Sequence, residues 1–318
     1  MAHACIQGIS FPQQTPFTPF APSIILNDMS IKIYAPNLKQ DGIGGGFTFW
    51  RNFKKGMGKL VHFVDNWQDS DIVFITGVTQ VDKEEIHQAE KAGKKIVLRV
   101  DNVPRKSRNK RSTPHERLKE FGELADVVIY QSKWAKDYCQ PLCGDGVVIY
   151  NGVDTDVFKP EPSISNPNRY IYAYHGKNEH KNFHEAHLRF QYIFRNNKDA
   201  EFWFIYDFRN DLEELSKANF DFWQGEKYLH LPQQTTPEAM AEILQQCGGG
   251  LIYPSISDAS PNIVLEAKAC GCPILYPAQK ELAGTQELLE LEDITLERMC
   301  EEYFGVFSLL IQAKEQNI

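Results

Sequence analysis

Residues 250–276, GLIYPSISDASPNIVLEAKACGCPILY, read as a strand, a helix and a second strand, and that order decides the fold. Gly250–Tyr253 is a short apolar run with the length of a buried strand. Ser260 is placed to cap a helix, Pro261 suits its first position, where no N–H is needed, and Gly271 ends it before Pro273–Tyr276 returns as a strand. Two apolar strands joined by a helical crossover pair in parallel, and parallel sheets are covered on both faces.

The same alternation runs outward from this unit. Ser30–Ala35, Leu60–Val64, Ile72–Thr76 and Lys95–Val100 read as strands, with helices at Phe47–Gly56 and Lys83–Ala92. Thr113, Pro114 and Glu116 form a capped start for a helix to about Ala125, followed by the strand Val127–Tyr130, a short helix from Lys133 and the strand Val147–Tyr150. Asn151–Asn168 holds three prolines and no hydrophobic period, which marks a domain boundary. Beyond it Tyr170–Tyr174 and Glu201–Tyr206 read as strands, Asn182–Arg195 and Thr236–Gln246 as helices, and Leu296–Ala313 as a long final helix. The fold class expected is α/β, with two Rossmann-like doubly wound domains facing a central cleft. Its parts are an extended, proline-bearing arm (1–29), a first domain (30–160), a second domain (161–295) and a C-terminal helix (296–318) placed to pack back across both. In such sheets ligands sit beyond the carboxyl ends of the strands, so the cleft is the expected site.

The chain has 318 residues, 42% of them hydrophobic, 12% aromatic and 24% charged, which suits two ordinary domains and excludes a disordered chain. Its net charge of −8 argues against non-specific binding to nucleic acid or anionic lipid as the main activity. Seven cysteines include no Cys-x-x-Cys pair, so reduced thiols in a cytoplasmic protein are expected. Neither an export signal nor a transmembrane span is expected, because no apolar run is long enough.

Asp258 and Glu266 are separated by seven residues around the helix start at Ser260, Pro261, Asn262 and Ile263. Amides at a helix N-terminus suit a phosphate, and a carboxylate inside the first turns can accept both hydrogen bonds of a sugar diol. A solvated Asp and a Glu on a surface helix satisfy the same spacing.

Together with Ala267–Pro273, this segment resembles the donor-site motif of retaining GT-B glycosyltransferases of the family-four type, also called group 1. Asn151–Pro160, NGVDTDVFKP, is similar to a second signature of that family at the end of its first domain, and Ala125–Ser132 to the strand before it. The resemblance implies a retaining, hexosyltransferase-type enzyme that moves a sugar from a nucleoside-diphosphate sugar to an acceptor hydroxyl. It places Glu266 on the ribose and Asp258 on the sugar, with Ser260–Ile263, Lys177 and Lys181 on the diphosphate. Gly44, Gly45 and Gly46 match the family's glycine loop, although a plain flexible connection explains the same run. The chain departs from the pattern in three places: Asp258 stands where Glu is usual, Gly176-Lys177 where Gly-Arg is usual, and Asp101 at the strand end that often carries a His. Asp101 is the second catalytic candidate, with turn capping as its alternative role.

Pro104–Arg111, PRKSRNKR, carries five Lys or Arg in eight residues, among them Arg105, Lys106 and Arg108. A solvated loop accounts for this run, and so does a patch for an anionic acceptor such as a lipid phosphate, an acidic glycan or a nucleic acid. No Asp-x-Asp metal motif stands where it would be needed, so no cofactor and no obligate metal are expected. The expected partners are a nucleotide sugar and a glycan, lipid-linked or other hydroxyl acceptor, in the cytoplasm or peripherally at a membrane. Two other readings compete: a GT-B-like protein that binds glycan or polyanion without turnover, and a phosphate-handling Rossmann enzyme, against which stands the missing Gly-x-Gly-x-x-Gly.

Overall fold

The computed structural model describes residues 31–36, 44–79, 81–101, 103, 114–173, 181–205, 228–231, 236–255, 257–276 and 283–315. A six-stranded parallel sheet has the order β2-β1-β3-β4-β5-β6, built from β1 (Lys32–Tyr34), β2 (His62–Phe63), β3 (Ile72–Ile75), β4 (Lys95–Val100), β5 (Val127–Tyr130) and β6 (Val147–Val148). A five-stranded parallel sheet has the order β11-β10-β7-β8-β9, from β7 (Arg169–Ala173), β8 (Glu201–Ile205), β9 (Tyr228–Leu231), β10 (Gly250–Ile252) and β11 (Ile274–Leu275). The order steps outward from β1 and β7 in both directions, which is the doubly wound arrangement. β3 and β5 are buried at every position, because helices cover both faces of the sheet.

Helices α1 (Gly45–Met57), α2 (Lys83–Lys91), α3 (Pro114–Leu124) and α4 (Lys133–Cys143) belong to the first half. The second half contains α5 (Phe183–Asn196), α6 (Pro237–Gln246), α7 (Asn262–Ala269) and α8 (Gly284–Glu290), and α9 (Leu296–Glu315) closes the chain. α1 turns Phe49, Trp50, Phe53 and Met57 into the core. α9 lays Leu296, Met299, Cys300, Tyr303, Phe307 and Leu310 against that same core, so the last helix packs on the first sheet after the chain has built the second. The 3–4 spacing of these side chains is that of one helix face. Phe53, Phe74, Tyr303 and Phe307 meet there ring to ring, with centroids 5.1–6.3 Å apart. Each such buried ring contributes about 1.5–3 kcal/mol relative to exposure. No helix among the described residues is long and apolar enough to cross a membrane.

The structure corrects the sequence reading in local detail. The helix read from Phe47 starts at Gly45, so Gly45 and Gly46 form its first turn and only Gly44, with φ 128°, precedes it. Strands 60–64 and 147–150 shorten to His62–Phe63 and Val147–Val148. Two elements went unread: β9 and the seven-residue α8. Thr113, the basic stretch 104–111, Gly176, Lys177 and the arm lie outside the described residues.

Candidate active site

Asp258 and Lys181 meet in the second half. Asp258 Oδ2 accepts hydrogen bonds from Lys181 Nζ at 2.6 Å, from Ser255 Oγ at 2.6 Å and from the Tyr253 hydroxyl. Lys181 Nζ also reaches the Tyr253 oxygen at 3.1 Å. Desolvation, then the Asp258 charge, pushes the Tyr253 hydroxyl well above its ordinary range, so it remains a donor. Removing one member of such a buried pair costs about 3–5 kcal/mol, because the other charge is stranded. Asp258 is thus held by protein donors, and it fixes the position of the Lys181 ammonium.

Glu266 lies in the second turn of α7 and is 9% exposed. Among the described residues no hydrogen bond reaches its carboxylate. Burial pushes its pKa up to about 7, and the Arg51 charge acts in the opposite direction. A carboxyl group in this state offers two strong acceptors to hydroxyl donors brought by a ligand.

The start of α7 differs from the sequence reading. Pro261 is the residue before the helix, Asn262 is the first helical residue, and no side chain caps it. Ser260 does not cap; its Oγ is buried without a partner among the described residues. The physical cause is Asn151, whose Nδ2 donates to Asn262 Oδ1 at 2.8 Å and to the Ser260 carbonyl at 3.4 Å, drawing both toward the first half. Asn262 Nδ2 in turn donates to the Gly45 carbonyl at 3.1 Å. The first amides of α7 therefore remain available for an anion. Ile263, half-buried, packs on the second core.

Behind this contact stands Arg99, 2% exposed in β4. It donates to Asn151 Oδ1 at 3.0 Å and its guanidinium lies 3.5 Å from the Phe49 ring centroid. Asp101, just past β4, is within electrostatic reach of Arg99. A chain of contacts thus runs from Arg99 through Asn151 and Asn262 to Gly45, joining both helix starts. On the other side of the interface Glu287 of α8 accepts from Lys133 N at 2.7 Å, Trp134 N at 2.8 Å and the Tyr150 hydroxyl at 2.8 Å. It caps α4, whose N-terminal dipole favours the negative charge.

Sequence reasoning missed Arg51, Arg99, Tyr253, Ser255 and Glu287 and assigned no role to Asn151. Arg99 had a signal, a charge inside the apolar run KIVLRV. Tyr253 and Ser255 lie within five residues of Asp258 in the same segment, whereas Arg51 and Glu287 meet their partners only through the packing of distant elements. Among the described residues no group of three His, Cys, Asp or Glu side chains could hold a metal ion.

Two parallel doubly wound sheets with this cleft between them define a GT-B fold. The chain is similar to Anabaena HepE solved with UDP-glucose, at 13% identity over 90% of this chain and 91% of that one, with a TM-score of 0.61. It is also similar to AviGT4, a glycosyltransferase involved in avilamycin A biosynthesis (11% identity, 89% and 98% covered, TM-score 0.59). A third likeness is to an α-glucosyltransferase solved with UDP (12%, 87% and 95%, 0.53). No family model matches the chain, and no curated protein matches it. At these identities the likeness is one of fold.

Proposed function

We propose that this protein is a retaining glycosyltransferase that works without a divalent cation and moves a sugar from a nucleoside-diphosphate sugar to an acceptor hydroxyl. The observation that carries the reading is Glu266, a buried carboxylate with no donor among the described residues, set in a helix whose start no side chain caps. A ribose supplies the two hydroxyls this carboxylate needs, and the adjoining diphosphate suits the α7 amides and the Lys181 ammonium. Lys177 joins them by its place in the sequence. These groups neutralise the leaving diphosphate in the way a metal ion would. The nucleotide-sugar complexes among proteins of this fold, with UDP-glucose and with UDP, support the assignment.

In this mechanism Asp258 orients the Lys181 ammonium beside the sugar, while Gly44–Gly46 and Asp101 shape the pocket from the first domain. The acceptor oxygen attacks the anomeric carbon from the face the diphosphate leaves. The carbon–oxygen bond to phosphate breaks, the glycosidic bond forms, and the acceptor proton passes to the departing phosphate oxygen. The second domain (161–295) is the donor half and the first (30–160) the acceptor half, and the helix Leu296–Glu315 returns to pack on the first. Arg105, Lys106 and Arg108 fit an anionic acceptor; a protein of this fold has been solved with UDP and a 13-mer DNA. The buried free thiols suit a cytoplasmic location.

The test is a panel of UDP, GDP and ADP sugars with purified protein, reading thermal stabilisation and release of nucleoside diphosphate. Ligand at a hundred times its Kd raises stability by about 2.7 kcal/mol. Stabilisation with release, insensitive to EDTA and abolished in Glu266→Ala, is the expected result; neither stabilisation nor release sinks the proposal. A binding protein without turnover is the second reading, favoured by the three donors already held on Asp258 Oδ2. Stabilisation without release selects it.

A further inference from the structure

A nucleoside diphosphate brings more negative charge than one ammonium balances, and Lys181 is already matched by Asp258 at 2.6 Å. Arg51 stands across the cleft in α1. With a helical period, Phe49, Trp50, Phe53 and Met57 share the buried face. The opposite face carries Gly45, which reaches the second half at Asn262, and Asn52 and Lys55, which hold the connecting segment at Gly152 and Asp154. Arg51 belongs to this opposite face.

Its guanidinium is within electrostatic reach of Glu266 but makes no ion pair with it or with any other carboxylate among the described residues. One Nη donates to Thr48 Oγ1 of the same helix at a long 3.4 Å, and Nε is buried with no acceptor among the described residues. A buried donor left in this state calls for an acceptor. A guanidinium fork matches phosphate oxygens two at a time.

We propose that Arg51 is a donor-binding residue whose guanidinium holds the diphosphate of the nucleotide sugar from the first-domain side, opposite Glu266. This rests on the donor-site reading above. Binding then adds a ligand bridge between α1 and α7 beside their contact through Gly45 and Asn262.

Calorimetric titration of the full chain with UDP, GDP and ADP, and with uridine, guanosine and adenosine, tests it on wild type, Arg51→Gln and Arg51→Lys. The nucleosides keep the ribose and lack the phosphates. For whichever diphosphate wild type binds, Arg51→Gln weakens it at least tenfold while the matching nucleoside stays within twofold. Arg51→Lys, which keeps the charge and loses the fork, falls between. Equal diphosphate affinity in wild type and Arg51→Gln overturns the role of Arg51 and leaves the donor site standing. Parallel loss of diphosphate and nucleoside also overturns it, since Arg51 would then act through Glu266 or the fold. No diphosphate binding by wild type overturns the donor reading itself and this proposal with it.

Discussion

Replacing Glu266 by Gln has opposite consequences for stability and for binding, and both can be sized from the site. Burial lifts this carboxyl from 4.5 to about 7, with Arg51 pulling the other way. At about 1.4 kcal/mol for each tenfold change in protonation, holding the group charged in the folded chain costs roughly 3 kcal/mol. Because the folded pKa lies above the unfolded one, its favourable contribution is complete below about pH 4.5 and is lost as pH rises through about 7. Gln is neutral throughout. Glu266→Gln is therefore expected to match wild type at pH 4.5 to within about 1 kcal/mol and to exceed it by up to roughly 3 kcal/mol at pH 8, in denaturant titrations of the apo protein. Nucleoside diphosphate affinity moves the other way. In wild type it is greatest above pH 7 and falls by up to tenfold per pH unit below, as the carboxylate takes up a proton. In the variant it is weak, and only the terminal phosphate, which titrates near 6, still changes it with pH. A variant no more stable than wild type at pH 8, or one with the wild-type pH dependence of binding, refutes the reasoning.

Three further perturbations probe the framework. Asn151→Ala removes the acceptor of the buried Arg99 and the support of Asn262; a loss of about 2–3 kcal/mol in urea is expected, with weaker diphosphate binding. A stability change under about 0.5 kcal/mol would show that Arg99 finds another acceptor. Glu287→Ala strips three hydrogen bonds and leaves only the Ser132 cap on α4, for a cost of about 1–2 kcal/mol, and hydrogen exchange should speed at the Lys133 and Trp134 amides first. Gly284→Ala would set its Cβ 1.7 Å from the Ala259 carbonyl oxygen, a backbone atom that cannot swing aside. A melting temperature well below wild type is expected, and an unchanged one would mean that α8 does not press on the segment before α7.

The sheets were legible because parallel strands buried on both faces must be written as continuous apolar runs, as in IVFI of β3 and VVIY of β5. α8 was not, because seven residues leave no room for a helical period and its start at Ala283 has φ 52° and no capping side chain. At the site, Asp258 and Glu266 were readable as a pair, since one short segment carries both. The groups that approach them from the first half were not. The contact between Asn262 and Gly45 joins residues 217 apart, and which polar group of α1 meets which group of α7 depends on how the two sheets approach. The shift of the helix start from Pro261 to Asn262 has the same origin. Local propensity favoured a Ser cap, and a side chain from the end of the first half overrode it.

The two chain crossings between the halves lie side by side, and this gives the site its mechanical logic. Val153 N donates to the Ile294 carbonyl at 2.9 Å, and Arg298 of α9 grips the carbonyls of Tyr150 and Asn151 at 2.9 and 2.8 Å. The outgoing linker and the returning helix are thus bonded at one place. Asn151 sits at this place and holds the start of α7 through Asn262. The residue that fixes the helix start is therefore also the one at which the two crossings meet.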